Sequence, residues 1–471
     1  MTDHPALTAL RAALGSHAVI SDPDRLAPWL VDERRLFAGR ALAAVEPAST
    51  EEVSAIVRIC RAHGIPMVPQ GGNTGYCGAA TPDSSGRALL IRFPRLARVR
   101  AVDALAGTLT VEAGAPLAAV QAAARDAGWF FPLSMGSEAT AQLGGALSTN
   151  AGGLTVVRYG TARELVLGLE VVLPDGQVLS QLQALRKDNT GYDLRHVFMG
   201  AEGTLGIITA AVLRLFPQPA ARETLLFNVP NAEAACACLS RARRALGDSV
   251  ESCEFFTREA LALVLAHEAD ARDPFAGEAP ALLLLELAGS FDSARMRETL
   301  AALVSTLQED ALVTDVLIAE SPTQRAAWWR LRERIPAAER AEGGSVKHDV
   351  SVPLGRVPEL AVAAVAAVRA RVPHIRCSVY GHMGDGNLHL NFLAPVGETP
   401  EVFRATHGEA LSAEVHGLAV RLGGSFSAEH GVGQLKRDLL RTTRSPVGLD
   451  LMMRLKQVFD PDQLMNPGKV L

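Results

Sequence analysis

PQGGNTGYCGA, at residues 69–79, is the first of two glycine-rich stretches that decide the fold of this chain; the second is GGALSTNAGG, at residues 144–153. Glycine lets backbone N–H groups approach an anion closely, and asparagine, serine and threonine add neutral donors. Neither G-x-G-x-x-G nor G-x-x-x-x-G-K-[ST] occurs in the sequence, which argues against a Rossmann site and a P-loop. The two stretches are therefore either ordinary tight turns or a phosphate cradle of another kind.

The composition is that of an ordinary globular protein. A chain of 471 residues is too long for one compact core, so we expect two or three domains. Its 48% hydrophobic and 21% charged residues exclude a disordered or fibrous class. A net charge of -5, without a basic cluster interleaved with aromatics, predicts no nucleic-acid partner. Because neither a secretory signal nor a membrane-spanning apolar run is visible, we expect a cytoplasmic protein that does not span a membrane.

The cysteines do not have the spacing of a structural zinc site. No paired C-x-x-C occurs. We therefore expect buried free thiols at Cys60, Cys77, Cys236, Cys238, Cys253 and Cys377.

The first region, residues 1–218, combines short helices with strands. Ser49 and Glu52 form a capping box for a helix that Gly64 ends. The stretch LVLGLEVVLPDGQVLS predicts a hairpin with its turn at 174–176. Proline at positions 217 and 219 indicates a linker after the last strand of this region.

The second region, residues 219–422, alternates strands with longer helices. The predicted helices cover residues 231–245, 291–308 and 323–342. This order indicates an α+β domain whose antiparallel sheet is covered by helices, which we expect on one side. The last segment, 423–471, returns to glycine-rich motifs.

GHMGDGNLHLNF, at residues 381–392, contains two histidines among three glycines. In a regular strand His382 and His389, seven residues apart, point to opposite faces, so they cannot share a ligand. Gly384 and Gly386 can supply a bend that brings the rings together. A catalytic zinc site needs three protein ligands and an open position. The third candidate lies in SAEHGVG, where both Glu429 and His430 remain open from the residues alone.

Two cations are candidates for binding substrate carboxylates. On the predicted helix 323–342, Arg332 shares a face with Trp328, Leu331 and Ile335, whereas its neighbouring arginines turn away. A buried arginine requires either a bound anion or an acidic partner. Lys347 lies on the polar face of an alternating strand.

The motifs resemble a known family in order along nearly the whole chain, roughly residues 35–471. PQGGNTG, PLSMGSEATAQLGGALSTNAGG and RKDNTGYDLRHVFMGAEGTLGIIT are similar to the FAD-binding domain of vanillyl-alcohol-oxidase type flavoproteins. Within them the chain resembles the D-2-hydroxyacid dehydrogenase branch, most of all the D-2-hydroxyglutarate dehydrogenases. The resemblance implies an α+β fold with a two-part FAD-binding domain at 1–218 and a substrate-binding cap domain at 219–422. It also implies that the segment 423–471 returns to the FAD domain and active site.

The resemblance implies a set of FAD-binding residues. The glycine stretches would hold the pyrophosphate, the segment near Glu202 would follow the adenosine and flavin, and Asn466 would lie near the isoalloxazine. Some relatives attach FAD through a histidine in the first loop, where this chain has Asn73. We therefore expect non-covalent FAD, with Cys77 as the one nearby group able to react. The implied set is Pro69, Gly71, Gly72, Asn73, Thr74, Gly75, Ser137, Gly144, Gly145, Ser148, Asn150, Gly152, Gly153, Glu202, Gly206, Ile207, Ile208 and Asn466.

The same resemblance implies roles at the substrate. Residues matching His382, His389 and Glu429 bind zinc in the family, and the residue matching His430 is the general base, although Glu429 and His430 can exchange these roles. Residues matching Arg332, Lys347 and Asn391 bind substrate. The chain departs from some relatives at Pro336, where they carry a threonine that contacts substrate. Because proline lacks a hydroxyl and an N–H group, the distal carboxylate must be held differently here.

These expectations combine into one principal function. The chain is expected to oxidise D-2-hydroxyglutarate, or D-malate, to the 2-oxo acid with FAD and Zn²⁺, and to pass electrons to a non-nicotinamide acceptor. An electron-transfer flavoprotein or a quinone system would serve, and the sequence is compatible with a homodimer. The first alternative is a D-lactate or glycolate dehydrogenase of the same family, whose members usually carry proline after the second histidine, where this chain has Leu390. A zinc hydrolase and a non-enzymatic flavin-binding subunit are the alternatives from other classes.

Overall fold

The structure is a computed structural model that describes residues 4–290 and 292–471, apart from the side chain at position 293. It divides into two units. The first comprises Met1–Gly152, Gly160–Gln218 and Glu429–Leu471, and the second comprises Gly153–Tyr159 and Pro219–Ala428. The boundary after Gln218 coincides with the proline-rich linker, whereas the chain re-enters the first unit at Glu429 rather than at residue 423. The short excursion at Gly153–Tyr159 has no counterpart in the sequence pattern.

The strands fall into four sheets. In the first unit the orders are β1-β2-β4-β3, β5-β6-β10-β8-β9 and β11-β7, and in the second unit β15-β12-β14-β13-β17-β18-β16. Their bounds, in chain order, are β1 (Val19–Ile20), β2 (Ala43–Val45), β3 (Met67–Gln70), β4 (Leu89–Arg92), β5 (Val99–Asp103), β6 (Thr108–Glu112), β7 (Trp129–Phe130), β8 (Val166–Val172), β9 (Val178–Gln181), β10 (Ile207–Arg214), β11 (Phe216–Pro217), β12 (Ala221–Val229), β13 (Val250–Thr257), β14 (Ala281–Gly289), β15 (Asp315–Ile318), β16 (Asp349–Ser351), β17 (Arg376–His382) and β18 (Asn387–Leu393).

The α-helices of the described residues are divided equally between the two units. In chain order they are α1 (Pro5–Leu14), α2 (Pro23–Leu26), α3 (Thr50–Ala62), α4 (Leu117–Asp126), α5 (Leu143–Ser148), α6 (Val156–Tyr159), α7 (Arg195–Phe198), α8 (Ala232–Leu246), α9 (Arg258–His267), α10 (Ser293–Glu309), α11 (Pro322–Glu333), α12 (Ile335–Ala341), α13 (Val357–Arg371), α14 (Pro400–Arg421), α15 (Arg437–Thr443) and α16 (Pro446–Phe459). Among the described residues, none of these helices combines the length and the apolar character that a bilayer crossing demands.

Most of the helix caps and turns that the sequence predicts for the first unit are present in the structure. Ser49 Oγ accepts the N–H of Glu52 at 3.2 Å, which caps α3. The Glu52 carboxylate reaches back to the N–H of Ala48 at 2.7 Å, one residue before its expected partner. Gly64 follows α3 with a φ of 63°, a left-handed conformation that glycine adopts without strain. The predicted hairpin is confirmed by the antiparallel pairing of β8 with β9.

The sheet of the second unit carries helices on both faces, so the expectation of one covered face is wrong. Phe255 on β13 packs in a cluster with α8 and α13 residues, whereas Phe256 packs with α9 and α11 residues. Every position of β13 from Val250 to Phe256 is buried. The β13 sequence, VESCEFFT, shows neither apolar alternation nor a continuous apolar run, so it does not reveal that both faces of the strand are covered.

One helix prediction in this unit also needs correction. The predicted helix 323–342 is two helices, α11 and α12, that meet at Arg334. Pro336 stands in the first turn of α12, where its missing N–H costs nothing, and its ring opposes a continuous helix. The predicted helices 231–245 and 291–308 match α8 and α10, although residue 291 lies outside the described residues. Between them, β13 and α9 are elements that the sequence analysis does not predict.

The cysteines are free, as predicted. Five are buried, and Cys236 is half-buried. Burial raises the pKa of the Cys60 thiol to about 12, which makes it inert.

Candidate flavin site and histidine hairpin

A cavity in the first unit collects half of the predicted FAD-binding residues. Its lining combines the ends of β3 and β10 with both glycine-rich stretches. The predicted residues in the lining are Pro69, Gly71, Gly144, Gly145, Ser148, Glu202, Gly206, Ile207 and Ile208. The sequence analysis misses Ala79, Ala80, Phe93, Ala113, Gln142, Thr149 and Gly203, which complete the lining.

The glycine stretches touch each other through their backbones. A Cβ atom at Gly71 would lie 3.7 Å from the Cα of Gly145. At Gly72 a Cβ would lie 2.1 Å from the carbonyl oxygen of Thr140, which only glycine accommodates. Gly145 itself has no protein atom within 4 Å of the Cβ position. At Gly71, Gly144 and Gly145 the wall of the cavity is therefore backbone, as a phosphate cradle requires.

Gln142 provides a further sign that this cavity binds a ligand. It lines the cavity, and its Oε1 is buried without a hydrogen-bond partner among the described residues. Buried hydrogen-bond acceptors in proteins nearly always have a donor. The residues of this cavity therefore fit FAD, which offers amide, hydroxyl and phosphate groups to such a wall.

The remaining predicted FAD residues lie outside the lining, and their role stays a prediction. Asn73 and Asn150 use their side chains for hydrogen bonds to the protein backbone. Asn73, with a φ of 55°, donates from Nδ2 to the Val31 carbonyl at 2.8 Å, and Asn150 Oδ1 accepts the N–H of Arg163 at 3.0 Å. Gly153 belongs to the second unit. The others outside the lining are Gly72, Thr74, Gly75, Ser137, Gly152 and Asn466.

Asn466 connects parts of the cavity wall. Its Nδ2 donates to the carbonyls of Ala79 at 3.0 Å and Glu202 at 2.8 Å, and its N–H donates to Met67 at 2.8 Å. Ala79 and Glu202 both line the cavity. Asn466 therefore holds two lining residues in place without lining the cavity itself.

Glu202 holds the segment that follows His430. Its carboxylate accepts the N–H groups of Val432 at 2.7 Å and Gly433 at 2.8 Å. Burial raises the pKa of Glu202, and the two N–H donors and the charge of Lys436 oppose that shift. The resemblance places Glu202 along the flavin, but its carboxylate is hydrogen-bonded to the protein backbone.

His430 is anchored next to the first glycine stretch. Its ring packs edge-on against Tyr76, with centroids 4.8 Å apart, and its Nε2 lies 3.9 Å from the Glu429 carboxylate. Cys77 Sγ donates to the Gly431 carbonyl at 3.4 Å, and a Cβ at Gly433 would lie 2.1 Å from the Cys77 carbonyl oxygen. Residues 76–77 and 430–433 are thus packed as one body within the first unit.

In the second unit, the two histidines of GHMGDGNLHLNF lie on a hairpin. His382 ends β17, and His389 lies on the antiparallel β18. Gly386 has a φ of 82°, and a Cβ there would lie 2.2 Å from the Val352 carbonyl oxygen. The imidazole centroids are 5.5 Å apart, and one ring nitrogen of each lies within 4.8 Å of the other. The glycines therefore supply the bend that the sequence predicts.

The buried carboxylate of Glu254 fixes the tautomer of His382. Glu254 Oε1 lies 2.7 Å from His382 Nδ1. Because a carboxylate accepts hydrogen bonds only, Nδ1 carries the proton, and the neutral form of this imidazole has its lone pair on Nε2. Metal-binding histidines in proteins are usually held in this way. The histidine pair therefore fits a metal ion such as zinc.

Arg332 lies on the inward face of α11, as predicted. Trp328, Leu331 and Ile335 are buried with it, and Arg332 is 5% exposed. Its Nε donates to Glu254 Oε2 at 2.8 Å, and its guanidinium lies over the Tyr380 ring at 4.6 Å. The acidic partner that burial requires is thus Glu254.

Lys347 and Asn391 meet at another buried carboxylate. Glu339, which is fully buried, lies 2.7 Å from Lys347 Nζ and 3.0 Å from Asn391 Nδ2. Asn391 also donates to the Tyr380 hydroxyl at 3.2 Å. The predicted substrate-binding residues are therefore linked to each other through Glu339 and Tyr380.

The sequence analysis misses three residues of this network. Tyr380 lies two residues before His382 and therefore on the same face of β17, a signal that strand periodicity contains. Glu254 lies between Cys253 and Phe255 on β13, and Glu339 lies one turn of α12 after Ile335. An acidic residue at such a position predicts burial with a partner, but it does not name the partner.

Comparison with known proteins identifies the family. Residues 218–470, more than half of the chain, match the family described as FAD linked oxidases, C-terminal domain. This chain belongs to the FAD-linked oxidases. Residues 41–181 of this FAD-linked oxidase also match the family described as FAD binding domain. The enzyme is therefore an FAD-dependent oxidoreductase, and eleven of the sixteen residues that line the cavity in its first unit fall within the matched range.

Curated relatives resemble this FAD-linked oxidase over its whole length. The D-2-hydroxyglutarate dehydrogenase of Xanthomonas citri pv. viticola is 38% identical over 470 residues, which cover 100% of this chain and 97% of the relative. The mitochondrial D-2-hydroxyglutarate dehydrogenase of Bos taurus is 37% identical, covering 96% of this chain and 81% of the relative.

Solved structures establish the fold. p-Cresol methylhydroxylase with bound substrate aligns with a TM-score of 0.75 at 16% identity, covering 99% of this chain and 96% of that chain. Alkyldihydroxyacetonephosphate synthase aligns with a TM-score of 0.73 at 18% identity, covering 99% and 85%. The fold of this FAD-linked oxidase is the vanillyl-alcohol-oxidase type, α+β with a two-part FAD-binding domain, as the sequence predicts.

Proposed function

We propose that this FAD-linked oxidase converts D-2-hydroxyglutarate, and also D-malate, to the 2-oxo acid in a reaction that requires FAD and zinc. One observation carries the proposal: Glu254 holds both His382, of the histidine pair, and the inward arginine Arg332. A metal ligand and a carboxylate-binding cation are the two groups that a 2-hydroxy acid needs. The names of relatives at 38% and 37% identity support hydroxyglutarate within that class.

The oxidation removes a hydride from C2 and a proton from the hydroxyl group of the substrate. Bound FAD supplies the hydride acceptor, its N5 atom. A bound zinc ion supplies a Lewis acid that lowers the pKa of the hydroxyl. In the proposal His430 takes the hydroxyl proton as general base. Its position against Tyr76 restrains the imidazole for that task.

The proposed zinc ligands are His382, His389 and Glu429. Within the second unit, Ala428 donates its N–H to Asp349 Oδ2 at 3.2 Å, and Asp349 pairs with His389 across β16 and β18. Glu429 is the next residue along the chain, so the covalent connection supports it as the third ligand. His430, one residue further, is the alternative ligand, in which case Glu429 is the base.

Arg332 is proposed to bind the carboxylate next to the reacting carbon. Its Nε is occupied by Glu254, and Glu254 is its one ion-pair partner within the residues described. The terminal nitrogens can therefore form the paired hydrogen bonds that suit a carboxylate. Lys347 and Asn391 are proposed to bind the distal end, where Pro336 offers no donor.

A second candidate is a D-lactate or glycolate dehydrogenase. The ion pair between Lys347 and Glu339 favours it, because a lysine already paired with a carboxylate attracts a second carboxylate less strongly. In either case the flavin passes its electrons to a non-nicotinamide carrier, for which we propose an electron-transfer flavoprotein or a quinone system.

Anaerobic reduction of the bound flavin tests the substrate class. The purified holoenzyme is mixed with the D- and L-forms of 2-hydroxyglutarate, malate and lactate, and with glycolate, and the flavin absorbance is followed. We expect rapid bleaching by D-2-hydroxyglutarate and D-malate, and none by the L-forms. Faster bleaching by D-lactate or glycolate would support the second candidate, and no bleaching by any acid would contradict both.

A further inference from the structure

We infer that Glu254 is a positioning residue that sets the distance between the metal-binding ring of His382 and the carboxylate-binding guanidinium of Arg332. The inference rests on the proposed function and assigns a role to a residue that contacts neither substrate nor metal. Glu254 lies on β13, near the middle of the seven-stranded sheet, and its side chain is fully buried.

The two oxygens of Glu254 have different partners. Oε1 lies 2.7 Å from His382 Nδ1, and Oε2 lies 2.8 Å from Arg332 Nε. Glu254 and His382 are also paired in register across β13 and β17. The sheet pairing thus fixes the position of the carboxylate. The carboxylate in turn fixes the position of Arg332 on α11.

Contacts of Tyr380 complete a closed circle of five residues, which also contains Arg332, Glu254, His382 and His389. Its aromatic ring lies under the Arg332 guanidinium at 4.6 Å and packs against His389 at 4.9 Å, and His389 lies 5.5 Å from His382. Glu254 is the member that connects Arg332 with His382. The two hydrogen bonds of Glu254, one with Arg332 and one with His382, fix direction as well as distance.

This geometry suits a 2-hydroxy acid. The carboxylate and hydroxyl groups of such a substrate are on adjacent carbons, so the cation that binds one and the metal that polarises the other must be close neighbours. A single carboxylate that holds Arg332 and His382 imposes that separation. It also directs a proton to His382 Nδ1, so that Nε2 retains the lone pair for a metal.

Glutamine cannot replace Glu254 in this role. If the amide oxygen faces Arg332 Nε–H, the amide NH2 faces His382 Nδ1, which must then give up its proton to Nε2. If the amide is reversed, its NH2 opposes the Nε–H of Arg332. A glutamine therefore satisfies either His382 or Arg332, but not both.

Two variants of the full-length holoenzyme test the inference. Glu254→Gln keeps the size of the side chain, and Glu254→Asp keeps its charge but shortens it by one methylene, so that at least one variant should fold. The matched control is Glu286→Gln, because Glu286 is another buried carboxylate of the same sheet that holds arginines, Arg222 and Arg325, without contacting the histidine pair. The measurements are the zinc dissociation constant by chelator competition, the KM and kcat for D-2-hydroxyglutarate, and the melting temperature.

We expect both Glu254 variants to bind zinc about 10- to 100-fold more weakly, a range typical for partners of metal-binding histidines. KM should rise at least tenfold. Glu286→Gln should lower the melting temperature while its zinc dissociation constant stays within twofold of wild type. Zinc affinity and KM within twofold of wild type in the Glu254 variants would overturn the inference alone. Wild-type protein that binds no zinc would overturn the proposed function and the inference with it.

Discussion

The ammonium group of Lys347 lies 2.7 Å from the carboxylate of Glu339, and this carboxylate is fully buried. Ser345 Oγ and Asn391 Nδ2 also donate to it, at 3.1 Å and 3.0 Å. A buried carboxylate with three donors fixes each of them in place. Glu339 thereby positions both Lys347 and Asn391.

Lys347→Met is expected to weaken binding of a diacid more than of a monoacid. If Lys347 binds the distal carboxylate, KM for D-2-hydroxyglutarate should rise at least tenfold, whereas KM for D-lactate, which has no distal carboxylate, should change less than threefold. The stability should also fall by about 3–5 kcal/mol, because Glu339 is left buried without its cation. Steady-state kinetics and urea unfolding measure these two effects.

The double variant Lys347→Met with Glu339→Gln separates the two roles. Removing both charges should restore most of the stability, since neither partner is then buried alone. The KM for D-2-hydroxyglutarate should remain high. Recovery of both stability and KM would show that Lys347 serves the fold and not the substrate.

Gly144 and Gly145 are expected to respond differently to alanine. A Cβ at Gly144 would lie 2.7 Å from the Cβ of Ala113, so Gly144→Ala should destabilise the FAD-free protein by about 1–3 kcal/mol. A Cβ at Gly145 meets no protein atom within 4 Å but enters the cavity. Gly145→Ala should therefore leave the FAD-free protein stable and weaken FAD at least tenfold. Melting curves and flavin fluorescence titrations measure these effects, and equal FAD affinities for Gly145→Ala and wild type would exclude the cavity as the cofactor site.

The flavin is expected to dissociate on denaturation. Asn73 stands where some relatives attach FAD covalently, and Cys77, the nearby nucleophile, is buried with its sulfur directed to the Gly431 carbonyl. Acid precipitation should give a colourless pellet and a yellow supernatant. A yellow pellet that survives repeated washing would show a covalent link.

Lys469 should make the stability rise with pH above about pH 8. Burial lowers the pKa of Lys469 from 10.5 to about 8, against the opposing charge of Asp83. Between these values the unfolded chain holds one proton more than the folded protein, so stability increases with pH. From pH 7.5 to 9.5, wild type should gain about 2 kcal/mol relative to Lys469→Met, which has no titrating group there. Urea unfolding at both pH values measures the gain, and parallel changes in the two proteins would contradict it.

Local patterns predict much of this fold because many signals lie within a few residues. The capped start of α3, the turn between β8 and β9 and the buried face of α11 with Arg332 all follow from short-range periodicity. The bend between His382 and His389 follows from glycine. These features need no knowledge of distant contacts.

The partners of the buried charges cannot be predicted in the same way. Glu254 meets Arg332 across 78 positions and His382 across 128 positions of the chain. The sequence of β13, VESCEFFT, has neither the alternation of a half-buried strand nor the continuous apolar run of a fully buried one. The sequence therefore predicts that Arg332 needs an anion, but the sheet pairing decides that Glu254 provides it.

Metal removal tests the central claim most directly. Holoenzyme is freed of metal by prolonged chelation, checked for retained FAD and unchanged melting, and mixed anaerobically with D-2-hydroxyglutarate. The account predicts that flavin bleaching slows at least 100-fold without metal and recovers when zinc is restored. Bleaching at the original rate in protein that contains FAD but no metal would contradict it.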